Sequence, residues 1–185
     1  MIRAAGAHLV ILDATVPHRF CEAQILPQLV KYLGESAQVT PEVYGELKRS
    51  ARGNRFAGLR LLEVVGWPKV TDVLPPQLRV EFEHLRRAAQ QPDDPPTKHI
   101  GEIATVLMAK HLNADLIILE DSLGKRLAQK KGLTRISTAQ LAVEMVVYDA
   151  LTEVEGLVVF NLAATNAGAS VFQERLKDRR LGDGV

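Results

Sequence analysis

Cysteine is nearly absent from this 185-residue chain: Cys21 stands alone. That excludes an internal disulfide and every multi-cysteine zinc site, and makes a reducing compartment, the cytoplasm, the expected address. Aromatic residues are only 5% of the chain, too few for the stacking platform of a single-strand-binding protein. Long apolar runs are missing as well. No window approaches the roughly 20 residues of a membrane span, and the apolar stretch after Arg3 meets Asp13 too soon for a secretory signal, so no membrane partner is expected. There is no GxxxxGK[ST] loop, no GxGxxG after the first strand and no HExxH pair, which disfavours nucleotide-binding enzymes and the zincin pattern. Neither sign of charge is in excess, with 23 Lys plus Arg against 22 Asp plus Glu. Only local clusters can point to a charged partner.

What is present suits one α/β domain over residues 1–185, with a core at about 8–138 and a helical C-terminal extension at about 139–185. A chain of this size buries about 70% of its unfolded surface and needs no staple. Strand-like runs fall at 8–13, 69–73, 115–119 and 134–137, and helical segments at 19–33, 41–51, 56–65, 75–90, 99–112, 122–131 and 138–151. The third strand run is too uniformly apolar to have a wet face. This alternation predicts a three-layer α/β/α fold around a mostly parallel sheet. Thr40 before Pro41 reads as a helix start and Gly132 after Lys130 and Lys131 as a helix stop. The three prolines of QQPDDPPTK (90–98) force a turn. GLVVFN (156–161) reads as either a further strand or a helix start, and Ser170 to Arg180 as a solvent-facing helix.

The chemistry is carried by acids at strand exits. HLVILDATVP runs straight into Asp13, and LIILEDSLGKR runs into Glu120 and Asp121. In open α/β sheets ligands gather outside the carboxyl ends of the strands, so neighbouring strands would bring Asp13 and Asp121 together. Two further acids can join them. On the helix from Pro41, Glu46 lies about 60° from Val43 and borders the apolar stripe, whereas Glu42 points further away. Glu102 lies in the first turn of the apolar helix IGEIATVLMAKHL, where the macrodipole favours negative charge. Each acid also has an ordinary reading: a cap for Asp13 and Asp121, a solvated face for Glu46, dipole compensation for Glu102, a loop acid for Glu120. Convergence would change that. Like charges about 5 Å apart repel by about 3 kcal/mol at an effective dielectric near 20, which a divalent ion removes. A donor set of oxygens alone suits Mg²⁺ or Mn²⁺, ions that activate water for attack on phosphorus.

With ILDAT, VTPEVYGEL, HIGEIATVLMAKHLNAD and LIILEDSLGKRLAQKKGL in view, the chain resembles the PIN domain family, in particular VapC-like ribonucleases, over most of residues 8–138. The resemblance implies a metal-dependent endoribonuclease leaving 5′-phosphate and 3′-hydroxyl ends. Asp13, Glu102 and Asp121 would hold Mg²⁺ or Mn²⁺, Glu46 would orient a water, and Glu120 would stand in the outer shell. Two departures stand out: Glu102 replaces the Asp of most members, and Leu119 stands where many place Ser or Thr. The resemblance further implies RNA as substrate, an antitoxin protein as partner if the chain is a toxin, and a homodimer as the usual assembly.

Two basic runs could attract phosphate, Lys48, Arg49, Arg52, Arg55 and Arg60 in one and Lys125, Arg126, Lys130, Lys131 and Arg135 in the other. Thr15, Arg49, Arg52 and Arg126 are the candidate substrate contacts. His18 and His99 read as surface or packing residues, Asp93 and Asp94 as solvated turn residues, and Asp115 as lying on the opposite sheet edge. A haloacid-dehalogenase-type phosphatase would need an Asp two positions after Asp13, where Thr15 stands. The stronger rival is a catalytically inactive PIN-like module that binds RNA or acts as a scaffold.

Overall fold

A computed structural model describes residues 4–164 and 168–182. Arg3, and residues 165–167 and 183–185 of the expected C-terminal extension, lie outside the described residues. The sheet has five parallel strands, β1 (Val10–Leu12), β2 (Ala37–Val39), β3 (Lys69–Val70), β4 (Leu116–Ile118) and β5 (Arg135–Ile136), in the order β3-β2-β1-β4-β5. Val10 pairs with both Ala37 and Leu116, which makes β1 central. The chain winds outward through β2 and β3, then returns to the other side of β1 at β4. The topological switch therefore lies between β1 and β4, where α/β sheets place their ligand crevice.

Ten helices among the described residues surround the sheet. They are α1 (Thr15–Glu22), α2 (Leu26–Leu33), α3 (Pro41–Ala51), α4 (Arg60–Val65), α5 (Pro76–Ala89), α6 (Ile100–His111), α7 (Ser122–Lys130), α8 (Thr138–Val147), α9 (Glu153–Ala163) and α10 (Ala169–Gly182). Alternation along the strands builds two cores. Val10, Leu12, Leu116 and Ile118 join α1, α2, α3 and α8 to α10 on one face. Ile11, Ile117 and the strand-end Leu119 join α6 and α7, flanked by α5, on the other. Three layers result, as the sequence predicts.

Four local expectations are corrected, and one left open is settled. The helix expected over 19–33 is two, because Gln24 takes φ 61° and Pro27, which would clash inside a continuous helix, opens α2 instead. β2 was not foreseen: Ala37, Gln38 and Val39 make no apolar run, and only pairing with β1 and β3 makes them a strand. The helix expected to reach 151 stops at Val147, with Asp149 at φ 55°. GLVVFN is helical, within α9, whose start is fixed by the reciprocal Thr152 and Glu155 capping box. Finally, α10 does not simply face solvent. It buries Phe172 and Leu176, and the Phe172 ring lies 5.2 Å from that of Phe160 in α9.

Candidate metal centre

Asp13 leaves β1 with its N–H donating to the Ile118 carbonyl of β4 at 3.0 Å, so the exits of the two central strands are tied together. Its side chain is 4% exposed and accepts a hydrogen bond from the Thr15 hydroxyl. Burial pushes the Asp13 carboxyl above its ordinary value, and the charge of Asp121 adds to the rise, against the pull of Thr15 and the nearby backbone N–H groups. Thr15, expected at the substrate, is thus engaged in fixing Asp13.

Asp121 sits just past β4 and caps α7, its Oδ1 accepting from the N–H groups of Leu123 (2.7 Å) and Gly124 (3.2 Å). Capping and site membership are not alternatives here, since one oxygen serves the helix and Oδ2 remains. Glu102 stands in the first turn of α6. Burial above all, then the charges of Asp13, Asp121 and Glu46, push its carboxyl up to about 7. Glu46 on α3 keeps more than a third of its surface in solvent, yet partial burial and the charge of Asp13 also raise it.

Two glycines let these segments close up. A methyl placed on Gly101 would lie 3.6 Å from Glu46 Oε2 and 4.0 Å from Asp13 Oδ1, so the first turn of α6 lies directly against both carboxylates. One placed on Gly124 would lie 3.6 Å from Glu102 Cβ and 3.5 Å from Leu119 Cδ1. The starts of α6 and α7 are therefore adjacent, and four acids from four segments share one electrostatic environment. Leu119, 1% exposed, belongs to the core rather than to the site.

His99, expected to be a surface or packing residue, is brought into the cluster. One imidazole nitrogen and one carboxylate oxygen from each of Glu102 and Asp121 all lie within 4.8 Å of one another, a group that could hold a metal ion. Helical spacing could not have found it, because His99 precedes α6 with a left-handed backbone. His18 instead packs on Phe56, with ring centroids 4.6 Å apart. Burial lowers its imidazole to about 4.

The remaining candidates divide. Glu120 approaches Arg19 at 3.7 Å, while burial raises its carboxyl and Asp13 adds to the rise. Arg49 faces a cavity of about 220 Å³ lined also by Glu42, Gly45, Glu46, Thr97 and Gly101. Glu42, expected to point away from the site, thus shares that cavity wall with Glu46. Lys48 pairs with Glu63, Arg55 with Glu22, and Arg60 donates to the Ala51 carbonyl, so much of the first basic run serves the fold. Arg52, one residue beyond α3, is exposed, and among the described residues no contact ties it to the acids. Arg126 is exposed on α7. In the second run Lys131 pairs with Glu81 at 2.7 Å. Asp115 accepts from the N–H groups of His8 and Leu9 before β1, on the edge opposite the site, and Asp94 pairs with Lys98 in the proline turn.

No helix among the described residues is long and apolar enough to cross a membrane. No family model, no curated protein and no solved structure matches the chain.

Proposed function

We propose that the protein is a divalent-cation-dependent endoribonuclease of the PIN type, with Mg²⁺ or Mn²⁺ held by Asp13, Glu102 and Asp121. The observation that carries this reading is the coupled group of four carboxylates at the switch point of a parallel sheet. A chain gains nothing in stability by crowding like charges together, and the raised carboxyls of Asp13, Glu46 and Glu102 report a cost that a bound cation would offset. Of this donor set, Glu102 and Asp121 come within 4.8 Å of each other and of a His99 ring nitrogen, an oxygen-rich group with one imidazole nitrogen that suits such an ion. Asp13 falls outside that spacing and borders the site at the first turn of α6.

When bound, the cation would supply Lewis-acid chemistry at a phosphodiester. The chain's own residues do the rest. Thr15 holds Asp13, the α7 cap holds Asp121, and Glu46, at the solvent rim, would orient a water. Without a cation, burial and the neighbouring acids raise the Glu102 carboxyl to about 7. Arg49, in the cavity beside Glu46, would engage a phosphate next to the scissile one, and Arg52 and Arg126 would act further out. RNA is the substrate class that the resemblance to VapC-like ribonucleases supports. If the chain is a toxin, an antitoxin would cover this acidic edge.

The test is incubation of the chain with mixed structured RNAs and Mn²⁺, with a chelator control. Cleavage should fall at least about 100-fold in Asp13→Asn and in Asp121→Asn. Cleavage that persists in both rejects these ligands. RNA binding without metal-dependent cleavage assigns the chain to the inactive-module class.

A further inference from the structure

His99 is the one member of the cluster that the reading above leaves without a task. It precedes α6 at φ 63°, a left-handed backbone uncommon for side chains other than Asn, Asp and His. Its Nδ1 is buried and has no hydrogen-bond partner, although a buried ring nitrogen ordinarily finds one. An imidazole nitrogen of the same ring stands within 4.8 Å of carboxylate oxygens of both Glu102 and Asp121. A cation about 2.0–2.3 Å from each of its ligands holds them roughly 3–4.5 Å apart. The three donor atoms are therefore close to ligand spacing before any ion draws them in.

Nitrogen in an otherwise carboxylate set changes which ion fits. Mg²⁺ gives up water reluctantly and favours oxygen. Imidazole suits first-row transition ions, and the carboxylates accept Mn²⁺ as readily as they accept Mg²⁺. From the orphaned Nδ1 and the closeness of one nitrogen of the same ring to the two acids, we infer that His99 is a nitrogen ligand of the cation at this site and biases it toward Mn²⁺ over Mg²⁺. The inference rests on the carboxylate cation site proposed above and adds to it a donor and a selectivity.

The measurement is Mn²⁺ binding to the full chain, followed by electron paramagnetic resonance with Mg²⁺ as competitor. Pulsed spectra on the native chain read whether a ¹⁴N nucleus is bound to manganese, and ¹⁵N-histidine labelling identifies that nucleus as imidazole. We expect a ¹⁴N coupling that changes on labelling and disappears in His99→Asn, a residue that tolerates the left-handed backbone. His99→Gly serves as a second variant with no strain there. In both variants the Mn²⁺ to Mg²⁺ affinity ratio should fall at least about tenfold. Mn²⁺ bound to the native chain without nitrogen coupling, at a ratio unchanged by either variant, overturns the role of His99 while leaving the carboxylate site standing. Mn²⁺ binding that Asp13→Asn and Asp121→Asn do not weaken, or no Mn²⁺ binding at all, overturns the carboxylate site and the inference together.

Discussion

Glu102 concentrates the physical problem of the site in one side chain. Its carboxyl, normally near 4.5, is raised to about 7 by burial and by three neighbouring acids, so between those values the folded chain holds a proton that the unfolded chain has released. Folding stability from this group therefore falls as pH rises from about 4.5 to about 7. His18 acts in the opposite sense over a nearby window. Its imidazole is lowered from 6.5 to about 4, so its contribution improves as pH rises through that range. Comparison with a variant isolates Glu102. In chelator, Glu102→Gln should gain stability relative to the native chain as pH is raised from 5 to 7.5, measured by urea unfolding at each pH. A difference that stays flat would show that Glu102 ionises freely in the fold. Asp13 and Asp121 were legible in the sequence because acids at the exits of two apolar strands come together once those strands are neighbours. His99 was not, because a histidine before a helix carries no pattern of its own until the left-handed turn aims it.

At the scale of elements, caps and tight contacts decide what the sequence discloses. Thr40 before Pro41 announced α3, and the Thr40 hydroxyl does accept from the Val43 N–H. β2 had no comparable signal, since Ala and Gln have little strand preference and the element exists through its neighbours. The cap on α7 offers a separation of roles for Asp121. Asn retains the capping oxygen and removes the charge, whereas Ala removes both. In chelator, Asp121→Ala should be about 1 kcal/mol less stable than Asp121→Asn, while both lose Mn²⁺ binding. Equal stabilities would mean that the cap is dispensable. A second contact is sterically tighter. A methyl on Gly156 would fall 2.2 Å from Val146 Cγ2 and 3.1 Å from Phe172 Cζ, where α8, α9 and α10 meet. Gly156→Ala should cost about 1–3 kcal/mol in urea unfolding, and an unchanged midpoint would indicate that these helices adjust freely.

Across the whole molecule, the C-terminal helices are part of the same core as β1 and β4, and a buried carboxylate outside the site shows how they are held. Glu144 of α8 is 4% exposed. Its Oε1 accepts from the Ala4 N–H at 2.6 Å and from the Tyr32 hydroxyl at 2.9 Å, and its Oε2 lies 3.6 Å from the Arg179 guanidinium of α10. One side chain thus joins the N-terminal segment, α2, α8 and α10, positions that local patterns in the sequence treat as unrelated. The contrast with Glu102 is instructive: Glu144 is balanced by donors and a cation of the protein itself, whereas the site acids face one another. Removing Glu144 should therefore harm folding, and neutralising Glu102 should relieve it. Glu144→Leu, which keeps the volume and discards every acceptor, should lose about 3–5 kcal/mol, and Glu144→Gln should lose less because its amide oxygen can still receive the Ala4 N–H. None of Glu144's partners is a site acid, so the folded fraction of either variant should bind Mn²⁺ with native affinity. Calorimetric titration beside urea unfolding checks both halves. A Glu144 variant that folds normally, or one that folds yet loses the cation, would contradict the division of labour between the acids that hold the fold and those that strain it.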